Sequence, residues 1–459
     1  MKFTKVSSAI LAFILAVFSY PFSFLPGKAE TDFSVPTEAA YAGTSEGNST
    51  VFALEKTAKW FNYYALRYTS DAYVRGTVTL DNGLGKTVQE AFFLEPGTDA
   101  VFYSFIDGFL NGKKARNILS VQVQPADREA MHFALSGVGM FNRAIPKQEV
   151  FLTNAFYKLG IDLGWGGALT YLEDLDSGVQ TVQKDGHIYV DSDAAARYGT
   201  KSVSDHVNLI NAHDAGRLVQ QSYYGVVNDP GYVNGVFNDK QWHYNPVQGG
   251  NMFADRSKLV DLRITADTLY IKCRPMDWAK DAASITPSYM EAWYRFDGTL
   301  VRTDCRFVDY AGYGNVPRST QELPAFYCVE PLNRFVYYGG DDPWNDPDGL
   351  AVEPELEFWA GKKATYDSKE NWVAFTGPFE DSFGIGLYAP GRTQFKSGIF
   401  KIHETKRTDP SVDDPTCYTA VLDTWVLDSF KPFTYTFFLA TGTAQQIRAQ
   451  FGALAAEGI

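Results

Sequence analysis

Short alternating apolar runs separated by turn residues extend over most of this chain. "YVRGTVTL" is followed by Asp81-Asn82-Gly83, "QEAFFLE" by Pro96-Gly97, and "VFYSFIDGFL" by Asn111-Gly112. A period of two is the pattern of a strand with one buried face, and such turn residues close hairpins. Only "GTAQQIRAQFGALAAE", near the C-terminus, has a helical period. The aromatic content of 15%, with 39 Gly and 21 Pro, agrees with a mainly antiparallel β fold.

The spacing of these runs predicts two β domains of unequal size. Strands between residues 51 and 146 are short and closely spaced, which predicts a small antiparallel β-sandwich. From 147 to 459 they are longer and lack crossover helices, so we expect a large antiparallel sandwich rather than a doubly wound sheet. Residues 43–50 are small and polar and are predicted to be a linker.

The first 42 residues are predicted to be a signal peptide and spacer. Lys2 and Lys5 precede an apolar run from Ala9 to Val17, which is too short to span a membrane comfortably. A small-x-small site at Ala40-Tyr41-Ala42 offers a cleavage point. We therefore expect a secreted or cell-surface protein with no stable membrane span after signal removal.

Charge and cysteine content exclude several classes of function. The formal net charge is −13 and no Lys/Arg cluster is present, which argues against nucleic acid and favours neutral partners. The four cysteines show no metal-binding spacing, and we expect them to be buried apolar residues rather than a disulfide framework.

No cofactor motif is present, and the single metal signal is incomplete. The sequence contains no HExxH, no phosphate loop and no dinucleotide fingerprint, so we expect no cofactor and no metal. "WNDPDGLAVEPE" places Asp346, Asp348 and Glu355 at calcium-loop positions, but Trp344 stands where the first Asp should be. Whether calcium binds there stays open.

The beginning of the long strand-rich region resembles a known superfamily. A strand, "FYKLGIDL", a turn, Gly164-Trp165-Gly166-Gly167, a second strand, "ALTYLEDL", and the turn Asp176-Ser177-Gly178 follow one another. They resemble the opening of the galactose mutarotase-like supersandwich, which is shared by aldose epimerases and by domains of several glycoside hydrolases and polysaccharide lyases. The resemblance covers roughly residues 150 to 455. It implies a large antiparallel β-supersandwich over 147–459 with a concave sheet that binds sugar, and it implies no particular reaction.

The segment Tyr289–Asp309 predicts a hairpin with two carboxylates on one face. With Asp297-Gly298 as a two-residue loop, Glu291 lies opposite Asp304, and Trp293 lies opposite Arg302. Paired carboxylates repel, so one would have a raised pKa, as an acid and base pair on a sugar requires. The alternative is a solvated ladder of charges on an exposed face.

The stretch "NLINAHDAGRLVQQSYYG", residues 208–225, is dense in polar and aromatic groups. A turn before the strand would raise His213 and Asp214 to the rim of a sheet, as proton donor or hydroxyl ligand and as base. The alternative is a loop cap in which Asp accepts backbone N–H bonds. Candidate sugar contacts in this stretch and downstream are Arg217, Gln221, Tyr223, Trp242 and Gln248; on the predicted hairpin they are Trp293 and Arg302.

Glu322 is a further candidate acid, because the Leu-Pro that follows it should end strand pairing and place the carboxylate at a strand end or in a loop. An ordinary loop charge is the alternative.

These residues lead to a carbohydrate-related hypothesis with several alternatives. We expect an exported enzyme that cleaves glycosidic bonds with a carboxylate pair drawn from Asp214, Glu291, Asp304 and Glu322. The two carboxyl groups of such a pair lie about 5–5.5 Å apart in enzymes that retain the configuration of the sugar and about 6.5–9.5 Å apart in enzymes that invert it. The alternatives are a non-catalytic glycan-binding or adhesion protein, and a lyase or epimerase that uses His213 or a tyrosine. Convergence of these residues in one cleft would favour catalysis, whereas separate structural networks would favour binding.

Overall fold

A computed structural model describes residues 35, 41–144, 147–281, 285–353, 356, 365–400 and 409–459. The predicted signal sequence therefore lies outside the described residues. The described chain is mainly strand, and the strand pairs within its sheets are antiparallel, which confirms the predicted fold class.

The first eight strands form two antiparallel sheets. They are β1 (Gly43–Glu46), β2 (Ser49–Ala53), β3 (Tyr63–Ser70), β4 (Val74–Asp81), β5 (Thr87–Leu94), β6 (Gly97–Phe105), β7 (Asn117–Pro125) and β8 (Phe133–Phe141). One sheet has the order β1-β2-β7-β4-β5 and the other β6-β3-β8. Phe92 of β5 stacks on Phe102 of β6 at 5.7 Å between ring centroids, so the sheets share a core. The predicted linker, residues 43–50, contains β1 and the start of β2, because β1 pairs with β2 and β2 pairs in turn with β7.

A short connecting region follows. It consists of β9 (Glu149–Thr153), β10 (Tyr157–Asp162), β11 (Ala168–Asp174), β12 (Gln180–Lys184), β13 (His187–Asp191) and α1 (Ala194–Tyr198). The glycine-rich turn between β10 and β11 has Gly166 at φ 60°, where an added Cβ would lie 2.3 Å from the Gln248 carbonyl oxygen. A glycine is therefore required where this turn meets the body of the protein.

The remaining strands build two large facing sheets and a separate two-stranded sheet, which Gly235–Phe237 and Lys240–Trp242 form. They are β14 (Gln220–Ser222), β15 (Gly235–Phe237), β16 (Lys240–Trp242), β17 (Pro246–Val247), β18 (Lys258–Ile264), β19 (Thr268–Arg274), β20 (Met276–Asp277), β21 (Ser288–Asp297), β22 (Leu300–Asp309), β23 (Arg318–Val329), β24 (Arg334–Tyr338), β25 (Leu350–Glu353), β26 (Thr365–Asp367), β27 (Trp372–Thr376), β28 (Gly384–Tyr388), β29 (Gln394–Phe400), β30 (Thr416–Trp425) and β31 (Phe433–Gly442). The seven-stranded sheet has the order β20-β17-β14-β23-β30-β29-β26. The nine-stranded sheet has the order β18-β19-β21-β22-β31-β28-β27-β24-β25.

The core lies between these two sheets. Phe326 and Cys328 point inward from β23, and Met290 and Cys305 point inward from β21 and β22. All four cysteines are buried and none forms a disulfide, as expected. The Gln221 side chain of β14 donates to the Glu291 backbone carbonyl of β21 at 2.9 Å, so polar groups also join the layers.

The N-terminal sheets pack on the outer face of the nine-stranded sheet. Tyr63 of β3 donates to Asp261 of β18 at 2.6 Å, and Tyr289 of β21 accepts the backbone N–H of Phe93 at 2.9 Å. One continuous cluster of buried apolar residues includes Phe52 near the start and Leu439 near the end.

The predicted C-terminal helix is present as α2 (Ala444–Ala456). Thr443 and Gln446 form a capping box at its start, and Ile447 and Phe451 are buried against the nine-stranded sheet. Within the described residues, no helix combines the length and apolar character needed to cross a bilayer.

Candidate functional site

The loop of the predicted hairpin lies one residue later than expected. β21 and β22 are joined by Gly298-Thr299, and Asp297 pairs with Leu300. Gly298 has a φ of 59°, which is the sign that a type II′ turn requires at its first loop position. The glycine therefore takes the first loop position rather than the second.

This change corrects the predicted pairs while keeping the predicted face. Glu291 lies opposite Arg306, and Asp304 lies opposite Trp293. The direct pairing of Glu291 with Asp304 is therefore wrong, and so is that of Trp293 with Arg302. Each residue of the first strand pairs with a residue two places farther along the second strand than predicted. Because side chains alternate with a period of two, the four side chains stay on one face.

Each of the two carboxylates is neutralised by its own arginines. Arg306 donates to Glu291 at 2.6 Å, and Tyr270 donates to its other oxygen at 2.6 Å. Burial opposes ionisation of Glu291, but Lys272, Tyr270 and Arg306 outweigh it and lower its pKa. The raised pKa expected of a paired acid is not found at Glu291. Asp304 accepts from three neighbours: Arg295, Arg302 and Thr436.

Glu291 and Asp304 point away from the seven-stranded sheet. Arg306 also binds Glu95 of the N-terminal sheets at 2.5 Å, which places the Glu291 network against that part of the protein. A cavity of about 180 Å³ lies between these layers, and neither Glu291 nor Asp304 lines it. Arg302 instead lines a cavity of about 350 Å³ beside Phe438, on the same outer face.

The polar residues at the start of the 208–225 stretch hold the chain itself. Asn208 accepts from the backbone of Leu172 and Ile210 and donates to the Thr170 carbonyl at 2.9 Å. Asn211 donates to the carbonyl of Asp413 at 2.8 Å. These two asparagine side chains therefore stabilise the loops around them rather than a ligand site.

Three predicted sugar contacts lie in the interior and are corrected. Gln221 and Gln248 are each 1% exposed, and Tyr223 is fully buried. Tyr223 donates to Gln221 at 2.7 Å, and Gln248 accepts from the Gln221 backbone at 3.2 Å. Side chains alternate along this stretch, so Gln221 and Tyr223 both point between the sheets.

The side chains that point the other way from this strand, such as Ser222, contribute to a polar, aromatic surface. We call it the tyrosine face: the outer side of the seven-stranded sheet formed by Ser222, Tyr224, Glu322, Tyr327, Lys396 and Tyr418. Ser222 pairs with Glu322, and Tyr327 pairs with Tyr418 at 4.8 Å between ring centroids. Tyr224 and Tyr327 are half-buried, so the face is partly accessible.

Glu322 lies at the centre of this face, within β23 rather than at a strand end. The strand continues past Leu323-Pro324 because the register shifts between Glu322 and Ala325, and such a bulge tolerates the missing proline N–H. Tyr418 donates to the Glu322 carboxyl at 2.5 Å. Burial raises the pKa of Glu322, and hydrogen bonds from Tyr418, Ser222 and Tyr224 with the charge of Lys396 offset only part of this.

One rim of the tyrosine face carries the predicted His213–Asp214 pair. Arg217 bridges Asp214 and Asp414, binding the latter at 2.6 Å. His213 bonds the Val412 carbonyl through Nδ1 at 2.7 Å, and its Nε2 lies 3.8 Å from Asp414. Arg217 and Asp214 both act electrostatically on Tyr327, as Glu322 does, so rim and centre share this tyrosine as a neighbour.

The other rim is aromatic. Trp242 meets Tyr224 edge-on at 6.4 Å and lies 4.3 Å from His243 between ring centroids. Trp278 packs instead against Gly216 of the His213–Asp214 rim, where an added Cβ would lie 2.8 Å from the indole ring. Both tryptophans are half-buried and leave ring surface exposed.

Of the five predicted catalytic residues, three therefore lie at the tyrosine face: His213, Asp214 and Glu322. Sequence reasoning missed Tyr224, Tyr327 and Tyr418. Their signal was present as a tyrosine in each of the runs "SYYG", "AFYCV" and "TCYTAV". Nothing in those runs says that the three tyrosines share a face, because their strands meet only through long-range pairing.

The calcium-loop template is only partly described, since Glu355 lies outside the described residues. Asp346 accepts the backbone N–H of Asp348 at 2.9 Å, as in an ordinary turn. Among the residues described, no group of three or more His, Cys, Asp or Glu side chains could hold a metal ion.

No family model and no curated protein matches the sequence. Among solved structures, galactose 1-epimerase from Lactobacillus acidophilus is 10% identical, covers 66% of this chain and 97% of its own, and has a TM-score of 0.33. A galactose mutarotase-like protein from Clostridium acetobutylicum is 10% identical, with coverages of 64% and 95% and a TM-score of 0.31. An alpha-galactosidase from Geobacillus stearothermophilus is 10% identical, with coverages of 66% and 42% and a TM-score of 0.32. The superfamily that the sequence resembles is thus among the proteins to which the structure is similar.

Proposed function

We propose that this protein is a carbohydrate-active enzyme that binds a glycan on the tyrosine face and uses Glu322 as its proton-transfer group. The observation that carries this proposal is the position of Glu322: a carboxyl of raised pKa, surrounded by hydroxyl groups, on a partly accessible face. Such perturbed carboxyls occur preferentially at functional sites.

The chemistry of the face suits a sugar. Tyr224, Tyr327 and Tyr418 offer phenol groups that donate to and accept from hydroxyls. Trp242 and Trp278 at the rims offer flat apolar surface to the apolar side of a sugar ring. Pockets that recognise small molecules combine apolar walls with a few fixed polar groups in this way.

Two carboxyl groups in different environments support cleavage of a glycosidic bond. Burial favours the protonated form of Glu322, as a general acid requires, whereas Asp214 forms an ion pair with Arg217. Hydrolysis needs one protonated and one ionised carboxyl on the same substrate. We propose Glu322 as the acid and Asp214 as the ionised partner.

Glu322→Gln tests the proposal. We expect product release from a glycan panel to fall by about 10²- to 10⁴-fold, because the amide cannot transfer a proton, while glycan binding measured by calorimetry persists. Glu380→Gln, at an exposed position away from the sheet, is the matched control and keeps full activity. Undiminished turnover in Glu322→Gln would remove Glu322 from catalysis.

A second candidate function, glycan binding without chemistry, is favoured by a different observation. Glu291 and Asp304 are each neutralised by arginines on the opposite side of the protein. Two of the four predicted carboxylates therefore cannot take part at the tyrosine face. Mass analysis of the reaction distinguishes the outcomes: a product heavier by water indicates hydrolysis, an unsaturated product indicates elimination, and retained glycan without product indicates binding alone.

A further inference from the structure

A guanidinium at the aromatic rim of the tyrosine face has no carboxylate partner. Arg318, the first residue of β23, is half-buried, and its Nη2 lies 3.3 Å from Nδ1 of His243. Among the described residues, no Asp or Glu oxygen lies within 4.0 Å of it. A partly desolvated charge without a counter-ion is costly, so such a group is normally neutralised.

The histidine that contacts Arg318 supplies no negative charge. His243 is 8% exposed, and burial together with the charge of Arg318 lowers its pKa to about 4. Above that pH the ring is neutral and accepts from the guanidinium through Nδ1. Within the described chain, Nε2 of His243 is buried without a hydrogen-bond partner. The histidine therefore positions the arginine without cancelling its charge.

This arginine belongs to the same surface as Glu322. His243 packs edge-on against Tyr224 at 4.9 Å between ring centroids, and the Tyr224 hydroxyl is among the groups that lower the pKa of Glu322. Trp242 lies beside both rings. A ligand that stacks on the indole ring would thus meet Arg318 at one end and the carboxyl at the other.

The opposite rim provides a contrast. Arg217 is fully matched there, because it binds both Asp214 and Asp414. The same type of side chain is therefore neutralised at one rim and left unmatched at the other. The guanidinium of Arg318 presents its N–H donors in the geometry in which a carboxylate accepts two hydrogen bonds.

We infer that the glycan bound at the tyrosine face carries a carboxylate, as uronic acids do, and that Arg318 is the residue that recognises it. This inference rests on the proposed function and adds the class of sugar. It revises the expectation of neutral partners that the net charge of −13 suggested. Charges farther away than about 8 Å are largely screened at physiological salt. The guanidinium of Arg318 therefore affects a bound ligand more strongly than the net charge of the protein does.

Matched pairs of oligosaccharides test the inference: galacturonate with galactose, glucuronate with glucose, and mannuronate with mannose oligomers. We expect the protein to bind at least one acidic member about 10- to 100-fold more tightly than its neutral counterpart, as one charged hydrogen-bonded contact provides. Arg318→Gln should abolish this preference and leave binding of the neutral member unchanged. Arg128→Gln, an exposed arginine of the N-terminal sheets, makes the same change in net charge and should keep the preference.

The outcomes separate the two proposals. Binding with equal affinity for acidic and neutral members, or a preference that survives in Arg318→Gln, overturns the inference and leaves the proposed function standing. Absence of binding to every oligosaccharide overturns both.

Discussion

Three buried carboxyl groups show how strongly the environment of a residue decides its chemistry. Arginine, lysine and tyrosine neighbours outweigh burial at Glu291 and lower its pKa. At Glu322 only hydroxyls and one lysine offset burial, and the pKa is raised. Asp309 is fully buried and accepts from Tyr244 at 2.9 Å, and burial raises its pKa to about 6. Identical functional groups thus differ because of their partners.

Asp309→Asn tests the last of these environments. Because the folded protein binds the Asp309 proton more tightly than the unfolded chain does, the contribution of Asp309 to stability is largest below about pH 4 and falls as the pH rises through 6. The expected loss is about 3 kcal/mol, at about 1.4 kcal/mol per pKa unit. Urea unfolding from pH 4 to pH 7 should show this loss in the wild type relative to Asp309→Asn. Parallel curves for the two proteins would contradict the assignment.

At the scale of elements, one turn residue decided which side chains face each other. The sequence predicted both strands of the β21–β22 hairpin and their shared face, because a period of two is a local property. It did not predict the pairs, since Asp297-Gly298 and Gly298-Thr299 are both acceptable loops and only packing of the complete sheet selects between them.

The helix α2 offers a test at the same scale. Glu370, wholly buried, binds Arg448 of the helix at 2.6 Å and accepts from the Trp372 indole at 2.8 Å. Glu370→Ala leaves the guanidinium unmatched and should reduce the free energy of unfolding by about 3–5 kcal/mol. Lys369→Ala removes the neighbouring exposed pair with Asp341 and should cost less than about 1 kcal/mol. Equal losses in chemical denaturation would refute the role of the buried pair.

At the scale of the molecule, the N-terminal sheets and the large body share one apolar cluster. The predicted division near residue 146 stays a prediction, but the contacts across it are specific. Lys258 of the body binds Glu90 of β5 at 2.8 Å, and Arg306 binds Glu95 at 2.5 Å. A shared core of this kind couples the unfolding of its parts.

Scanning calorimetry tests this coupling. We expect one transition for the protein, with the calorimetric enthalpy equal to the van't Hoff enthalpy, because neither part keeps its buried surface without the other. A separate earlier transition, accompanied by protease cleavage confined to residues 41–144, would show instead that the N-terminal sheets unfold independently.

Local pattern by itself determined that this chain is mainly antiparallel β, that residues 444–456 are helical and that its cysteines are buried; it also predicted Asp214, His213 and Glu322 as candidate site residues. These properties follow from periodicity, turn chemistry and composition, which act over a few residues. Only the tertiary structure decided that Glu291 and Asp304 lie on the outer face of one sheet while Glu322 lies on the outer face of the other. It also decided that Tyr224, Tyr327 and Tyr418 share a face and that Arg318 has no acidic neighbour among the described residues. The physical reason is that strand order and register join segments up to 138 residues apart, as between Val301 and Leu439, and alternation alone does not specify which faces meet.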